Sequence, residues 1–166
     1  MGNNQNNMED RQNDIIELFQ THFGKGELFA RVFECFPYPI QVYAPDGTSV
    51  LVNKALLAEY GAVSPDMVVG KYNVFKDPDV IATGQLPALK RAFSGETVFF
   101  ADVRVPLESI TKRYGIQDLD LEAVYQDIVA FPVLDNEKRV ICVAAVLINR
   151  RVYRGKDEIE RAREYM

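Results

Sequence analysis

The sequence has no tryptophan, one histidine and two cysteines among its 166 residues. Each scarcity removes a kind of chemistry. A Ser-His-Asp or Cys-His arrangement needs an imidazole that reaches the nucleophile. The one histidine, His22, lies near the N-terminus at helical spacing from Ile15, Leu18 and Phe19, and it reads as a packing residue. Metal sites need clustered Cys, His or carboxylate ligands, and neither CxxC nor HxxxH spacing occurs. Gly24-Lys25-Gly26 lacks both the dinucleotide and the P-loop glycine patterns. The sequence therefore reads as that of a non-enzyme without a catalytic residue or a metal.

Cys35 and Cys142 are too few for a disulfide framework and stand in apolar settings, where both are expected as buried small hydrophobes. Nothing at the N-terminus looks like a secretory signal. The longest apolar run, Val140–Ile148, falls far short of the roughly 20 residues a membrane-spanning helix needs. These absences predict a cytoplasmic, reduced protein with no membrane partner. A formal net charge of −5 gives no whole-chain attraction to phosphate backbones. DNA would be held only through an output domain absent from this chain.

What is present suits one domain with short appendages: 48% apolar and 26% charged residues. Residues 1–13 carry Asn or Gln at seven positions and read as a disordered lead-in. An N-terminal helical segment follows over 14–37, with Ile15, Leu18, Phe19 and His22 at helical spacing. Gly24 and Gly26 divide it from a second helix bearing Phe29, Val32, Phe33 and Phe36 on one face. Ile40–Tyr43 and Ser49–Val52 flank Pro45-Asp46-Gly47, a turn in which Pro fixes φ and Gly supplies φ > 0. Asn53 stands as the cap of a helix over 54–60, ended by Gly61. Ser64–Gln85 is broken by Pro65, Gly70, Pro78 and Gly84 and should hold only short turns; Leu86–Ser94 reads as a helix. Three strand-like runs complete the body: Thr97–Val105, Glu122–Val133 and Arg139–Ile148. The order predicts an α+β fold, a five-stranded antiparallel sheet with short helices on one face and an N-terminal helix outside it.

That order, with its punctuating residues, resembles a PAS domain. The resemblance rests on Pro39, Asp46-Gly47, Asn53-Lys54-Ala55, Gly61, Gly70, Ala92-Phe93-Ser94-Gly95-Glu96, Phe131-Pro132-Val133 and Val140–Asn149. It departs from the family at Cys142 and Ala145, where Gly is frequent, and at Asn149-Arg150-Arg151, where Asp-Ile-Thr is frequent. The stretch 106–120 lengthens a connection that is usually a hairpin. The domain is expected over 38–149, with an exit helix over 150–166 towards a missing output domain. Glu158–Met166 looks like the opening of an AraC-type helix-turn-helix domain, and an exit helix to another effector such as a kinase is the alternative.

The resemblance implies a non-catalytic sensory, ligand-binding module of a bacterial signalling or transcription regulator, relaying small-molecule binding through its flanking helices. The alternative is a ligand-free dimerisation module. No histidine lies beyond Phe23 to hold haem, and the flavin-binding motif Asn-Cys-Arg-Phe-Leu-Gln is missing, so neither haem nor flavin is expected; the resemblance leaves an unidentified small organic ligand or a cavity whose polar groups satisfy one another. By the same transfer, Gln41 and Tyr43 face inward on the first strand although alternation favours Ile40 and Val42. Gln126, Ile128 and Ala130 face inward on the fourth strand, and Val143, Ala145 and Leu147 on the fifth. The ligand-binding set is Gln41, Tyr43, Val52, Leu56, Tyr72, Phe75, Leu89, Phe93, Val103, Gln126, Ile128 and Ala145, with the ligand between Gln41 and Gln126. Asp102 and Arg104 are expected on the outer face. Burying a Phe contributes roughly 1.5–3 kcal/mol, so the stripe Phe29, Val32, Phe33 and Phe36 is expected to join a homodimer.

Overall fold

The structure, a computed structural model, describes residues 26–61, 64–105 and 121–153. The chain divides into two units, residues 1–36 and 37–166. In the first, helix α1 spans 26–35. Phe33 is 6% exposed, whereas Phe29 (68%), Val32 (57%) and Phe36 are exposed. Cys35 is exposed as well, which corrects the expectation of a buried thiol. It stands two residues, about 200° of helix, from Phe33 and so points the opposite way.

The second unit opens with β1 (Ile40–Tyr43) and β2 (Ser49–Val52). Asp46 Oδ1 accepts from the Thr48 N–H at 2.9 Å, and Gly47 sits at φ +83° beneath the Phe75 ring. Helix α2 (Lys54–Glu59) starts at fully buried Asn53. The Asn53 side chain accepts from the Leu56 and Ile40 N–H groups and donates to the Tyr38 carbonyl, tying helix to sheet. As the proline and glycine punctuation predicts, only short turns follow: 3₁₀ turns at Pro65–Met67 and Val74–Lys76, then α3 (Pro78–Ala82). Helix α4 (Leu86–Ala92) is followed by β3 (Val98–Val105), β4 (Leu121–Leu134) and β5 (Val140–Tyr153).

All five strands pair antiparallel in the order β2-β1-β5-β4-β3. One register row, Val52-Gln41-Ala145-Ala130-Val98, crosses the whole sheet and is buried throughout. The row above it, Ile40-Val146-Val129-Phe99, lies on the opposite face and ends at Phe99, 75% exposed on the edge strand. Gln41 and Tyr43 thus face the core and Ile40 and Val42 face away, as the resemblance implied and alternation alone did not. The core lies between the inner face and the helices, where Tyr43, Leu56, Val74, Leu89 and Val143 pack together.

Two elements differ from expectation. Strand β5 continues through Arg150 to Tyr153, where an exit helix was expected from 150. Pairing with the long β4, down to Leu121, extends it: the ladder hydrogen bonds override a charged composition. Strand β3 carries a bulge between Phe100 and Val103, with Asp102 at φ 53°. The Asp102 N–H donates to Asp127 Oδ1, and Arg150 pairs with both carboxylates on the outer face. Residues 1–13, the helix-turn-helix-like stretch 158–166 and the 106–120 connection lie outside the described residues. No helix among the described residues is long and apolar enough to cross a membrane.

Candidate functional site

The helical layer does not fill the inner face of the sheet. A cavity of about 140 Å³ remains between α3–α4 and strands β1, β5, β4 and β3. Its floor is Ala145 and Leu147 of the central strand, whose small and aliphatic side chains leave the space open. Gln41 and Tyr43 close it on the β1 side, and Gln126 and Ile128 on the β4 side. Tyr60, Tyr72, Val74 and Leu89 come down from the helical layer. The bulge of β3 brings Phe100, Val103, Arg104 and Val105 to the rim opposite Asp77, Asp79, Val80, Thr83 and Gln85.

Two hydrogen-bonded groups organise the polar part of the wall. On the β1 side, Gln41 Nε2 donates to Ser49 Oγ at 3.0 Å and Gln41 Oε1 accepts from the Tyr43 hydroxyl at 3.0 Å. On the helical side, the Tyr72 hydroxyl donates to Asp77 Oδ2 at 2.7 Å, and Asp77 Oδ1 caps α3 by accepting from the Asp79 N–H. A third contact crosses the cavity mouth: Gln126 Nε2 donates to the Tyr60 hydroxyl at 2.7 Å. Gln126 is 7% exposed, yet its Oε1 accepts from no donor among the described residues. Its register partner Asn149 has a buried Oδ1 with no hydrogen-bond partner.

Of the residues expected to bind ligand, Gln41, Tyr43, Tyr72, Leu89, Val103, Gln126, Ile128 and Ala145 line the cavity. Val52, Leu56, Phe75 and Phe93 do not. Val52 and Leu56, the latter on α2, are buried in the core, and Phe75 packs on Phe93 with centroids 4.6 Å apart. These four are core, because apolar side chains at the hairpin and the helix starts find closer partners than an open cavity. Gln41 and Gln126 both line the cavity but stand apart in it. Their β5 partners, Ala145 and Asn149, stand four residues apart, about 14 Å along the strand. The amides therefore serve different ends of the cavity, and the Gln41 end is satisfied internally. Arg104 is part of the rim, although its register with Tyr125 keeps its side chain on the expected outer face.

Sequence reasoning did not find Tyr60, Asp77, Asp79, Val80 or Thr83. Tyr60 ends α2 and gives no periodic signal, and α3 is only one turn long. The pattern Asn73…Asp77-Pro78, two side-chain caps four residues apart, is the one cue that a short helix turns towards the sheet there. Among the described residues no cluster of three His, Cys, Asp or Glu side chains could hold a metal.

Neither family models nor curated protein sequences match this chain. Solved structures do. The PAS domain of BvgS from Bordetella pertussis is 21% identical, with a TM-score of 0.54, covering 84% of this chain and 92% of that one. The PAS domain of an HTR-like protein from Haloarcula marismortui is 18% identical, with a TM-score of 0.50, covering 85% and 99%. VqmA bound to DPO is 12% identical, with a TM-score of 0.52, over 74% of this chain and 57% of that one; a further structure is of a Vibrio cholerae VqmA dimer. With the strand order, the one-sided helices and the cavity between them, these likenesses make the architecture of this chain that of a PAS domain.

Proposed function

We propose that the chain is a non-catalytic sensory module of a cytoplasmic signalling or transcription regulator, and that it takes a small organic molecule in the cavity. The observation that carries this reading is Gln126: an amide only 7% exposed, in the cavity lining, whose carbonyl accepts from no donor among the described residues. A ligand with a matching donor would add a hydrogen bond there, a net gain of about 0.5–1.5 kcal/mol. An apolar shell with a few converging polar groups is the general form of a small-molecule site. VqmA, of similar architecture, is bound to DPO. A cavity near 140 Å³ suits a molecule of about one ring, which argues for neither haem nor flavin. Binding would favour one arrangement of α3 against the β3 rim, and β5 and the flanking helices would carry that shift to an output domain, through which any DNA contact would be made.

A dimer is the second reading, and the two are compatible. The exposed stripe Phe29, Val32 and Phe36 and the apolar outer sheet face ending at Phe99 favour a second copy of this chain as partner. The test of the ligand reading is a thermal-shift screen of single-ring compounds on the wild type and on Ala145→Leu, which fills the cavity floor. The wild type should respond to a subset, and the variant, folded by circular dichroism, should respond to none of that subset. Equal responses from both proteins would sink the reading.

A further inference from the structure

We infer that the molecule taken by this cavity is a single-ring hydrogen-bond donor, neutral or cationic, and that an anion of the same shape is rejected; the inference rests on the ligand-binding reading above. Several of the wall's side-chain donors are engaged within it. Gln41 Nε2 donates to Ser49 and the Tyr43 hydroxyl to Gln41. The Tyr72 hydroxyl donates to Asp77, Gln126 Nε2 to Tyr60, and Gln85 Nε2 to the Thr83 hydroxyl, which itself donates to the Asp79 carbonyl. At the Gln126 end an acceptor is left without a bond. Gln126 Oε1 meets no donor among the described residues, and Asn149 Oδ1 beside it is buried without one.

Charge points the same way. The Asp77 and Asp79 carboxylates lie in the wall, and Asp77 is buried. The one cation among the lining residues, Arg104, is in register with Tyr125 on the outer face of the sheet. An anion entering here meets carboxylates and carbonyl oxygens and, with Arg104 on the outer face, gains no cation from the described lining residues. A donor meets Gln126 Oε1. Size sets the other limit: about 140 Å³ compares with an engineered cavity of about 150 Å³ that holds benzene.

Benzamidine, benzamide and benzoate share one planar shape and differ in donors and charge, so they are the probes. At pH 7, amide resonances of Ala145 and Leu147 should shift saturably with benzamidine and benzamide. Each should bind at least about ten-fold more tightly than benzoate. Gln126→Met should weaken benzamide roughly five-fold or more while toluene affinity changes less than about two-fold. Gln126→Glu, which keeps the acceptor and adds charge, should favour benzamidine over benzamide more than the wild type does. Benzoate binding as tightly as benzamide, or toluene alone binding, overturns the donor inference and leaves the cavity reading standing. Failure of all four probes to move the cavity resonances overturns both. If Gln126→Met does not fold, the Gln126→Glu ratio decides, and an unchanged ratio counts against the inference.

Discussion

Asn53 joins helix α2 to the sheet with three hydrogen bonds from a side chain that water does not reach. Asn53→Ala removes a helix cap and leaves the Ile40 N–H and the Tyr38 carbonyl without their partner. A loss of about 2–4 kcal/mol is expected, read as a lower urea midpoint at unchanged slope. Gly47 is fixed for two reasons at once, a φ of +83° and the Phe75 ring 2.6 Å from where a Cβ would stand. Gly47→Ala should therefore cost about 1–3 kcal/mol in the same measurement. Two turn carboxylates add a pH dependence. The Thr48 N–H and hydroxyl hold the Asp46 carboxyl below its ordinary range, and the Arg139 N–H and guanidinium do the same for Asp135. Both folded-state values lie below the unfolded ones, so their contribution is complete above the unfolded value of about 4 and fades as pH falls through the folded value. Melting temperatures should drop on acidification below about pH 4, and Asp135→Asn should flatten that slope. Asn53, Asp46 and Gly47 were legible in the sequence because caps and turns are local chemistry. Gln126 was legible as an inward amide only through the resemblance, since a strand does not reveal which face its alternation turns inward.

Among the elements, β3 shapes the cavity rim, β5 its floor, and α1 carries the exposed stripe. The β3 bulge is held by the Asp102 N–H on Asp127 and by Arg150 across both carboxylates. No glycine marks it, so nothing in the run Val98–Val105 announced a change of register. Likewise Arg150–Tyr153 looked like the start of a helix by composition, and pairing with β4 made it strand. By contrast the β1–β2 hairpin and the short turns of 64–85 followed directly from their prolines and glycines. On α1, Phe29 and Val32 are exposed while Phe33 is buried. If the stripe joins two copies, the double variant Phe29→Asp, Val32→Asp should shift the sedimenting species from dimer to monomer without changing helix content. A monomeric wild type at micromolar concentration, or an unchanged variant, would remove the stripe from the account.

For the whole molecule, the antiparallel sheet supplies a rigid floor and the short, capped turns supply a thin roof that leaves space above Ala145 and Leu147. The sheet and the strand identities were readable from residue order, and the inward face from the resemblance. The roof residues Asp77, Asp79 and Thr83 were not, because single-turn helices have no periodicity to read. The shape of the space follows from how far α3 stands from the β3 bulge, a distance no local pattern encodes. The account turns on that space being occupied by a small molecule. Native mass spectrometry of the purified full chain, set beside its denatured mass, tests this most directly. The expected result is a non-covalent mass excess of single-ring size on the wild type, lost in Ala145→Leu and weakened in Gln126→Leu by roughly ten-fold to a hundred-fold in affinity. The bare chain mass under the gentlest conditions, with and without added single-ring donors, would contradict it.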